Sequence, residues 1–337
     1  MVGHQCCNLD DLRPVADRLS VVPTPVCPKL HAGRDQINRS RSFPPSRGGS
    51  GGASLTLRQS KETEMSYLPI LGAALKYDHV DALKDWIFEK NRALELQDFC
   101  MVEVVDDEQD DLITAYKTLL DGYEGEFGIH GPFFSLDLAA TDPLIQNVVQ
   151  VRLLDALNKC EKLGATHMVV HSPFTFWHSL NFANFGFLHE TMFEAAKTIL
   201  EPVLNRAENI GCTLMLENCD DAHPAYRNQL VMHMNSPNFK VSIDTGHAQL
   251  AHGQYKAPPV TDFITMAGEL LGHVHLQDAD GYADRHWHPG EGTLPWGAIF
   301  NTLAKINASP RLLLEVRDRE HMLPATVKRL EDLNLAQ

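Results

Sequence analysis

From Pro69 onward, short apolar runs alternate with longer amphipathic segments, and this pattern constrains the fold more than any other feature of the sequence. The short runs have the length of buried strands, and the longer segments repeat apolar residues at i, i+3 and i+4, as one face of a helix does. The predicted strands are Ile70–Ala74, Cys100–Val105, Gly128–Gly131, His167–His171, Thr213–Glu217, Lys240–Asp244, His273–Gln277 and Arg311–Val316.

The segments between these strands predict helices. The clearest of them cover Asp81–Arg92, Leu144–Leu163, Leu188–Ile210 and Trp296–Ile306. Strands that alternate with helices form parallel sheets, and eight such units are the number that closes a barrel. The sequence therefore predicts an α/β fold, a single (β/α)8 TIM barrel over residues 65–337.

Residues 1–64 have a different composition. The Gly-, Ser- and Pro-rich stretch Ser42–Gly52 has no sustained apolar period around it, which is typical of linkers and disordered tails. Lys61-Glu62 can be encoded by a bacterial ribosome-binding sequence just upstream of Met65. We therefore expect Met65 to be the native start and residues 1–64 to be a non-native leader. A genuine disordered N-terminal extension is the alternative.

Charge and composition restrict the partners. Residues 65–337 contain 38 acidic and 20 basic side chains, a net charge of −18 that repels a phosphate backbone and argues against nucleic acid. The chain has no apolar run of about 18 residues, so we expect no membrane span. Seven cysteines without a CxxC pair predict reduced thiols in a cytoplasmic protein.

In TIM barrels the active site lies at the carboxyl ends of the strands. Predicted strands 3 to 8 place His, Asp or Glu there: His130, His171, Glu217, Asp244, His247, His275, Asp284, His286 and Glu315. Buried imidazoles and carboxylates cost several kcal/mol each unless a cation compensates them. Mixed His and carboxylate ligands suit Mn, Zn, Co or Fe better than Ca or Mg. The sequence predicts a divalent metal site, with Mn, Zn or Co as the expected ion.

Seven short motifs carry a resemblance to a known family. They are His-Gly-Pro at 130–132, Val-His at 170–171, Leu-Glu-Asn at 216–218, Asp-Thr-Gly-His at 244–247, His-Val-His at 273–275, Asp-Arg-His at 284–286 followed by Pro-Gly-Glu-Gly at 289–292, and Leu-Glu at 314–315. Together they resemble the xylose isomerase-like TIM barrel superfamily. That superfamily includes sugar phosphate isomerases and epimerases and also endonuclease IV, which incises DNA at abasic sites.

The resemblance implies roles for individual residues. In the epimerase branch, four ligands hold one metal, and they correspond to Glu217, Asp244, His275 and Glu315. Glu217 and Glu315 are then also the catalytic acid and base on opposite faces of the substrate. In the endonuclease branch, nine ligands hold three metals, and all nine have counterparts here. The resemblance therefore implies more than one metal per chain. His273, two residues before His275, is expected to be a packed or supporting residue.

The loops at the predicted active-site end favour a small molecule over DNA. Arg285 is the only Lys or Arg in loops 133–141, 173–187, 219–226 and 277–287, whereas a DNA-binding surface needs basic residues. The aromatic loop that contains Trp177 suits either a sugar pocket or a subunit interface, so a homo-oligomer stays open. We predict that His247, Arg285 and Trp177 bind substrate.

The predicted function is a metal-dependent isomerase or epimerase of a sugar, keto-sugar or related polyol acid. It would act on a small carbohydrate substrate by proton transfer at a carbon next to a carbonyl group. Two alternatives remain open. One is an endonuclease IV-like metal-dependent phosphodiesterase acting on abasic DNA, and the other is a dehydratase or lyase of a keto-acid.

Overall fold

The computed structural model describes residues 68–106, 108 and 110–337. Eight parallel strands pair in sequence order, and β1 also pairs with β8, which closes the barrel. The strands are β1 Gly72–Leu75, β2 Leu94–Leu96, β3 Phe127–His130, β4 His167–His171, β5 Thr213–Glu217, β6 Phe239–Asp244, β7 Leu271–Leu276 and β8 Arg311–Leu314. The predicted TIM barrel is confirmed. The expectation for residues 1–64 lies outside the described residues.

Helices follow the strands on the outside of the barrel. They are α1 Tyr77–Ala82, α2 Lys84–Glu89, α3 Val102–Val105, α4 Asp111–Leu119, α5 Pro143–Leu163, α6 Phe176–Asn181, α7 Gly186–Asn209, α8 Pro224–Met234, α9 Thr245–Tyr255, α10 Val260–Ala267, α11 Trp296–Leu303 and α12 Leu323–Asp332. Three short 3₁₀ turns complete them, at Gln97–Cys100, Gly268–Leu270 and Glu320–Met322. Among the described helices, none is long and apolar enough to cross a membrane.

Local signals at the ends of α5 explain why its bounds were predictable. The Asp142 side chain accepts a hydrogen bond from the amide of Leu144 at 2.8 Å, and Pro143 occupies the first helical turn. The helix ends at Gly164, whose φ of +82° is left-handed and favours glycine. One predicted helix is wrong in detail, because Asp81–Arg92 is interrupted at Leu83 and divides into α1 and α2.

The predicted second strand is wrong. Cys100–Val105 was predicted to be a strand because it is one of the short apolar runs, but Val102–Val105 forms the helical turn α3. The second strand is Leu94–Leu96, whose partners are β1 and β3. Its three residues are too few to show a period, and their charged centre, Glu95, made the segment appear unlike a buried strand. This correction matters because β2 contributes to the site.

The packing and register of the strands determine where the site lies. The strands are buried along nearly their whole length, as expected for a parallel sheet that helices cover. Register then sets which strand-end residues are neighbours: His171 of β4 lies opposite Glu217 of β5, and Asp244 of β6 lies opposite His275 of β7.

Candidate active site

The carboxyl ends of the strands surround a cavity of about 390 Å³. Seven of the nine predicted ligands line it, namely His130, His171, Glu217, His247, Asp284, His286 and Glu315. The other two, Asp244 and His275, are completely buried next to them. Residues from six strands and the loops that follow them therefore converge on one place, where the sequence predicted them.

The first group of potential ligands consists of Glu217, Asp244, His275 and Glu315. Each offers an oxygen or nitrogen atom, and these atoms all lie within 4.8 Å of one another. Nδ1 of His275 lies 2.6 Å from Oε1 of Glu217 and 3.4 Å from Oε2 of Glu315. This is the four-residue set that the resemblance assigned to a single metal.

Two further groups contain the remaining predicted ligands. In one group, Nε2 of His130 and Nε2 of His171 lie 3.7 and 3.4 Å from Oε2 of Glu217, which thus belongs to two groups. In the other group, a carboxylate oxygen of Asp284 lies 3.5 Å from Nε2 of His247 and 3.1 Å from Nε2 of His286. All nine predicted ligands therefore fall into compact groups.

The donor atoms fit a divalent metal. Oε2 of Glu217 is buried and has no hydrogen-bond partner in the described part of the chain, although it lies near two imidazoles. A buried carboxylate oxygen without a partner is costly, and a cation would remove that cost. Imidazole nitrogen and carboxylate oxygen together form a ligand set that suits Zn, Mn and Co.

Opposing electrostatic effects set the charge of these groups. Burial disfavours the charged form of Glu217, but His275 outweighs it and holds the pKa of Glu217 well below its usual value. Burial also lowers the pKa of His275, but the carboxylate of Glu315 outweighs it and the pKa lies well above its usual value. His171 differs, because burial lowers its pKa to about 4. Burial raises the pKa of Asp244 to about 6.

The side-chain amides of Gln277 and Asn218 hold the ligands in place, and neither residue was predicted to have a role in the site. Nε2 of Gln277 donates to Asp244 at 3.1 Å and to Asp284 at 3.0 Å, while its Oε1 accepts from the amide of His286 at 2.8 Å. The Asn218 side chain exchanges two hydrogen bonds with the backbone of Asp244. Gln277 follows the ligand on β7 by two residues, a spacing that could have identified it.

Glu95 was not predicted as a site residue either, because the second strand was predicted at Cys100–Val105 instead of Leu94–Leu96. Glu95 is completely buried on β2, with Oε1 3.0 Å from Nε2 of His275 and Oε2 3.3 Å from Nε2 of His273. Gln97 follows it and donates to Oε1 of Glu95 and to Oε1 of Glu315. His273 is packed inside the barrel, as the sequence predicted.

Only one of the three predicted substrate-binding residues reaches the cavity. His247 lines it, but Arg285 does not, because its guanidinium pairs with the nearby Asp280 at 2.8 Å. Trp177 also lies elsewhere, with its ring stacked on Phe185 at 5.9 Å between centroids. The structure therefore does not bring Arg285 or Trp177 to the predicted site.

Other aromatic and basic side chains line the cavity. Phe133 and Phe134 line the cavity, and the Phe133 ring stacks on His171 at 4.2 Å between centroids. Lys76 and Arg317, which follow β1 and β8, line it as well. Both residues lie outside loops 133–141, 173–187, 219–226 and 277–287, so neither was predicted to line the site. The cavity therefore combines a dense set of acidic and imidazole groups with an aromatic wall and two basic side chains.

The sequence profile of the xylose isomerase-like TIM barrel family matches residues 92–333. The match covers well over half of the chain and includes all nine predicted ligands. The chain belongs to the xylose isomerase-like TIM barrel family. The resemblance inferred from the strand-end motifs is confirmed.

The relatives with similar sequences include two epimerases. An uncharacterised protein of Methanocaldococcus jannaschii is 25% identical over 196 residues, which are 56% of this chain and 63% of the relative. A D-psicose 3-epimerase of Ruminiclostridium cellulolyticum is 26% identical over 55% of this chain and 61% of its own length. A fructoselysine 3-epimerase of Escherichia coli O157:H7 is 30% identical over 28% and 35%. The chain thus spans less than two thirds of the length of these relatives.

Solved structures share the barrel. A protein from Thermus thermophilus, soaked with ZnCl2, superposes with a TM-score of 0.60 at 24% identity, over 78% of this chain and 97% of that protein. D-psicose 3-epimerase with D-tagatose from Clostridium cellulolyticum gives a TM-score of 0.60 at 16% identity, over 79% and 100%. At these low sequence identities, the structural similarity shows a shared fold alone.

Proposed function

We propose that this chain is a divalent metal-dependent isomerase or epimerase of a sugar, keto-sugar or related polyol acid. One observation carries the proposal: the carboxylates of Glu217 and Glu315 both line the cavity, and both face Nδ1 of the same imidazole, His275. With Asp244 these residues would hold the metal. The epimerases among the relatives support this choice of reaction.

The chemistry needs a base and an acid next to an activated carbon. A divalent cation in the first ligand group would supply Lewis acidity, which polarises a carbonyl group and acidifies the neighbouring C–H bond. Glu217 or Glu315 takes the proton from that carbon, and the electron pair of the C–H bond moves toward the carbonyl group, whose oxygen becomes negative. The other glutamate, after taking a proton from solvent, or a water molecule then returns a proton. Return to the opposite face of the same carbon gives an epimer. Return to the former carbonyl carbon gives an isomer, provided that the proton of the neighbouring hydroxyl moves to the former carbonyl oxygen.

The rest of the cavity suits a polyol. The rings of Phe133 and Phe134 offer apolar faces for the C–H side of a sugar, and His247 and Arg317 offer groups that can bind its hydroxyls. These contacts would hold the reacting carbon in place while the carboxylates exchange the proton.

Solvent-proton exchange tests the proposal directly. We would incubate the protein with Mn²⁺, Zn²⁺ or Co²⁺ in D₂O and a panel of ketoses and polyol keto-acids, and follow deuterium entry next to the carbonyl by NMR. The wild type should exchange at least one substrate, and Glu315→Gln should not. Glu291→Gln is the matched control, because Glu291 pairs with Arg319 at the surface and does not line the cavity. Absence of exchange across the panel would contradict the proposal.

A phosphodiesterase of the endonuclease IV type is the second candidate. The observation that favours it is the assembly of all nine predicted ligands into three groups, two of which share Glu217. The net charge of −18 over residues 65–337 opposes binding to DNA. An abasic-DNA cleavage assay with the same metals, run beside the exchange assay, separates the two. Cleavage without exchange would favour the second candidate.

A further inference from the structure

Strand β2 and the 3₁₀ turn that follows it each contribute one side chain to the site, Glu95 and Gln97, and neither has a role in the proposed chemistry. We propose that Glu95 and Gln97 form a positioning unit that sets the tautomer of His275 and the orientation of the Glu315 carboxylate. The inference rests on the proposed metal site. It adds two residues that act on the ligands and the acid/base group. Glu95 also offers an oxygen within 4.8 Å of donor atoms of His130 and Glu315. Its Oε1, however, already contacts His275 and Gln97, which favours a positioning role over metal binding.

Glu95 occupies an unusual place for a carboxylate. The interior of a TIM barrel is ordinarily filled by branched apolar side chains, and a buried charge costs several kcal/mol. In the described part of the chain, Glu95 has no Lys or Arg partner. Its contacts are instead the imidazoles of His273 and His275 and the amide of Gln97. An apolar side chain would fill this position at a lower cost in folding free energy. The presence of a carboxylate therefore indicates a role in the site.

The two ring nitrogens of His275 face different partners. Nδ1 faces Glu217 and Glu315, which belong to the same ligand group, whereas Nε2 lies 3.0 Å from Oε1 of Glu95. A ligating imidazole needs one bare nitrogen, and its other nitrogen usually donates to a carboxylate or carbonyl. Glu95 therefore selects the tautomer that carries the proton on Nε2. Nδ1 is then free to face the metal.

Gln97 restrains Glu315 in a similar way. Its two contacts, Oε1 of Glu95 at 2.8 Å and Oε1 of Glu315 at 2.9 Å, are both carboxylate oxygens and accept only. The amide NH₂ must therefore face both of them, using one hydrogen for each. This fixes one oxygen of Glu315 and leaves Oε2 on the side of His275. Strand β2 and the turn after it thus hold a ligand and the acid/base group in place at the same time.

Metal titration tests the inference without any substrate. We would titrate metal-free wild type, Glu95→Gln and Gln97→Leu with Co²⁺ and follow both the dissociation constant and the visible absorption of the bound ion. Loss of a partner that supports a metal ligand typically costs about 10- to 100-fold in affinity, and we expect each variant to lose at least tenfold. We also expect a changed absorption for Glu95→Gln. Gln249→Leu is the control, because that amide bonds Thr293 away from the cavity.

If Glu95 and Gln97 only stabilised the fold, the Co²⁺ titration would give a different result. Variants whose metal-free form melts at a lower temperature, but which bind Co²⁺ with the affinity and spectrum of the wild type, would overturn the inference. If Glu95→Gln does not fold, Gln97→Leu decides, because Gln97 is only half-buried. Weakened Co²⁺ binding in a protein that exchanges no sugar would support the positioning unit and contradict only the proposed reaction.

Discussion

The number of metal ions per chain follows from how the nine ligands are grouped, and Asp284→Ala tests it. Asp284 belongs only to the group with His247 and His286, whereas Glu217 connects the other two groups. The substitution removes the only carboxylate of its group and leaves the Glu217 groups intact. We expect more than one ion per chain in the saturated wild type, and one ion fewer in Asp284→Ala.

The expected stability change can be worked out from binding linkage. An ion present at about 100 times its dissociation constant stabilises the fold by about 2.7 kcal/mol. For a domain of this size, 1 kcal/mol corresponds to about 2–4 °C in melting temperature. Losing one ion should therefore lower Tm by about 5–11 °C in the presence of metal. After chelation, the wild type and the variant should melt at similar temperatures.

Elemental analysis of protein purified without chelator and then saturated with Zn²⁺ gives the count, and calorimetry gives Tm. Asp280→Ala is the matched control, since Asp280 lies in the same loop but pairs with Arg285 instead of joining a ligand group. A count of one in both the wild type and Asp284→Ala would refute the reasoning. The additional His and Asp residues would then serve the substrate, as in a site that uses a single ion.

Three further predictions follow from the same structure. Glu315→Gln should lower turnover at least 100-fold even when Co²⁺ is saturating, and near wild-type turnover would exclude the acid/base role. Arg227→Met should lower the free energy of unfolding in urea by about 3–5 kcal/mol, because it leaves the Asp221 carboxylate buried without its partner at 2.8 Å. Adding Asp221→Leu should restore much of that loss, and a purely additive double variant would contradict the pairing. Carboxylates outweigh burial and raise the pKa of both His275 and His247, which favours their protonated forms before a metal binds. Metal binding should therefore release protons and weaken as pH falls, and calorimetry in buffers of different ionisation enthalpy checks this.

Some of the site could not be predicted from the sequence, and the reasons are physical. Arg285 was predicted to bind substrate, but its guanidinium pairs with Asp280, five residues earlier, and does not line the cavity. Lys76 and Arg317 lie far apart in the sequence and reach the same cavity only because β1 pairs with β8. No local pattern reveals a neighbour that barrel closure creates.

The sequence by itself determined the barrel and the ends of its strands that carry chemistry. Strand and helix periods are local, and a ligand that directly follows an apolar run lies at the carboxyl end of its strand whatever the rest of the fold does. Tertiary structure alone decided the place of β2. Three residues cannot form a strand on their own propensity, and hydrogen bonds to β1 and β3 select Leu94–Leu96 over the β-branched Val102–Val105. This pairing also places Glu95 in the site. Its partners His273 and His275 lie across the barrel and about 180 residues away in the chain, so no local sequence pattern could have indicated the contact.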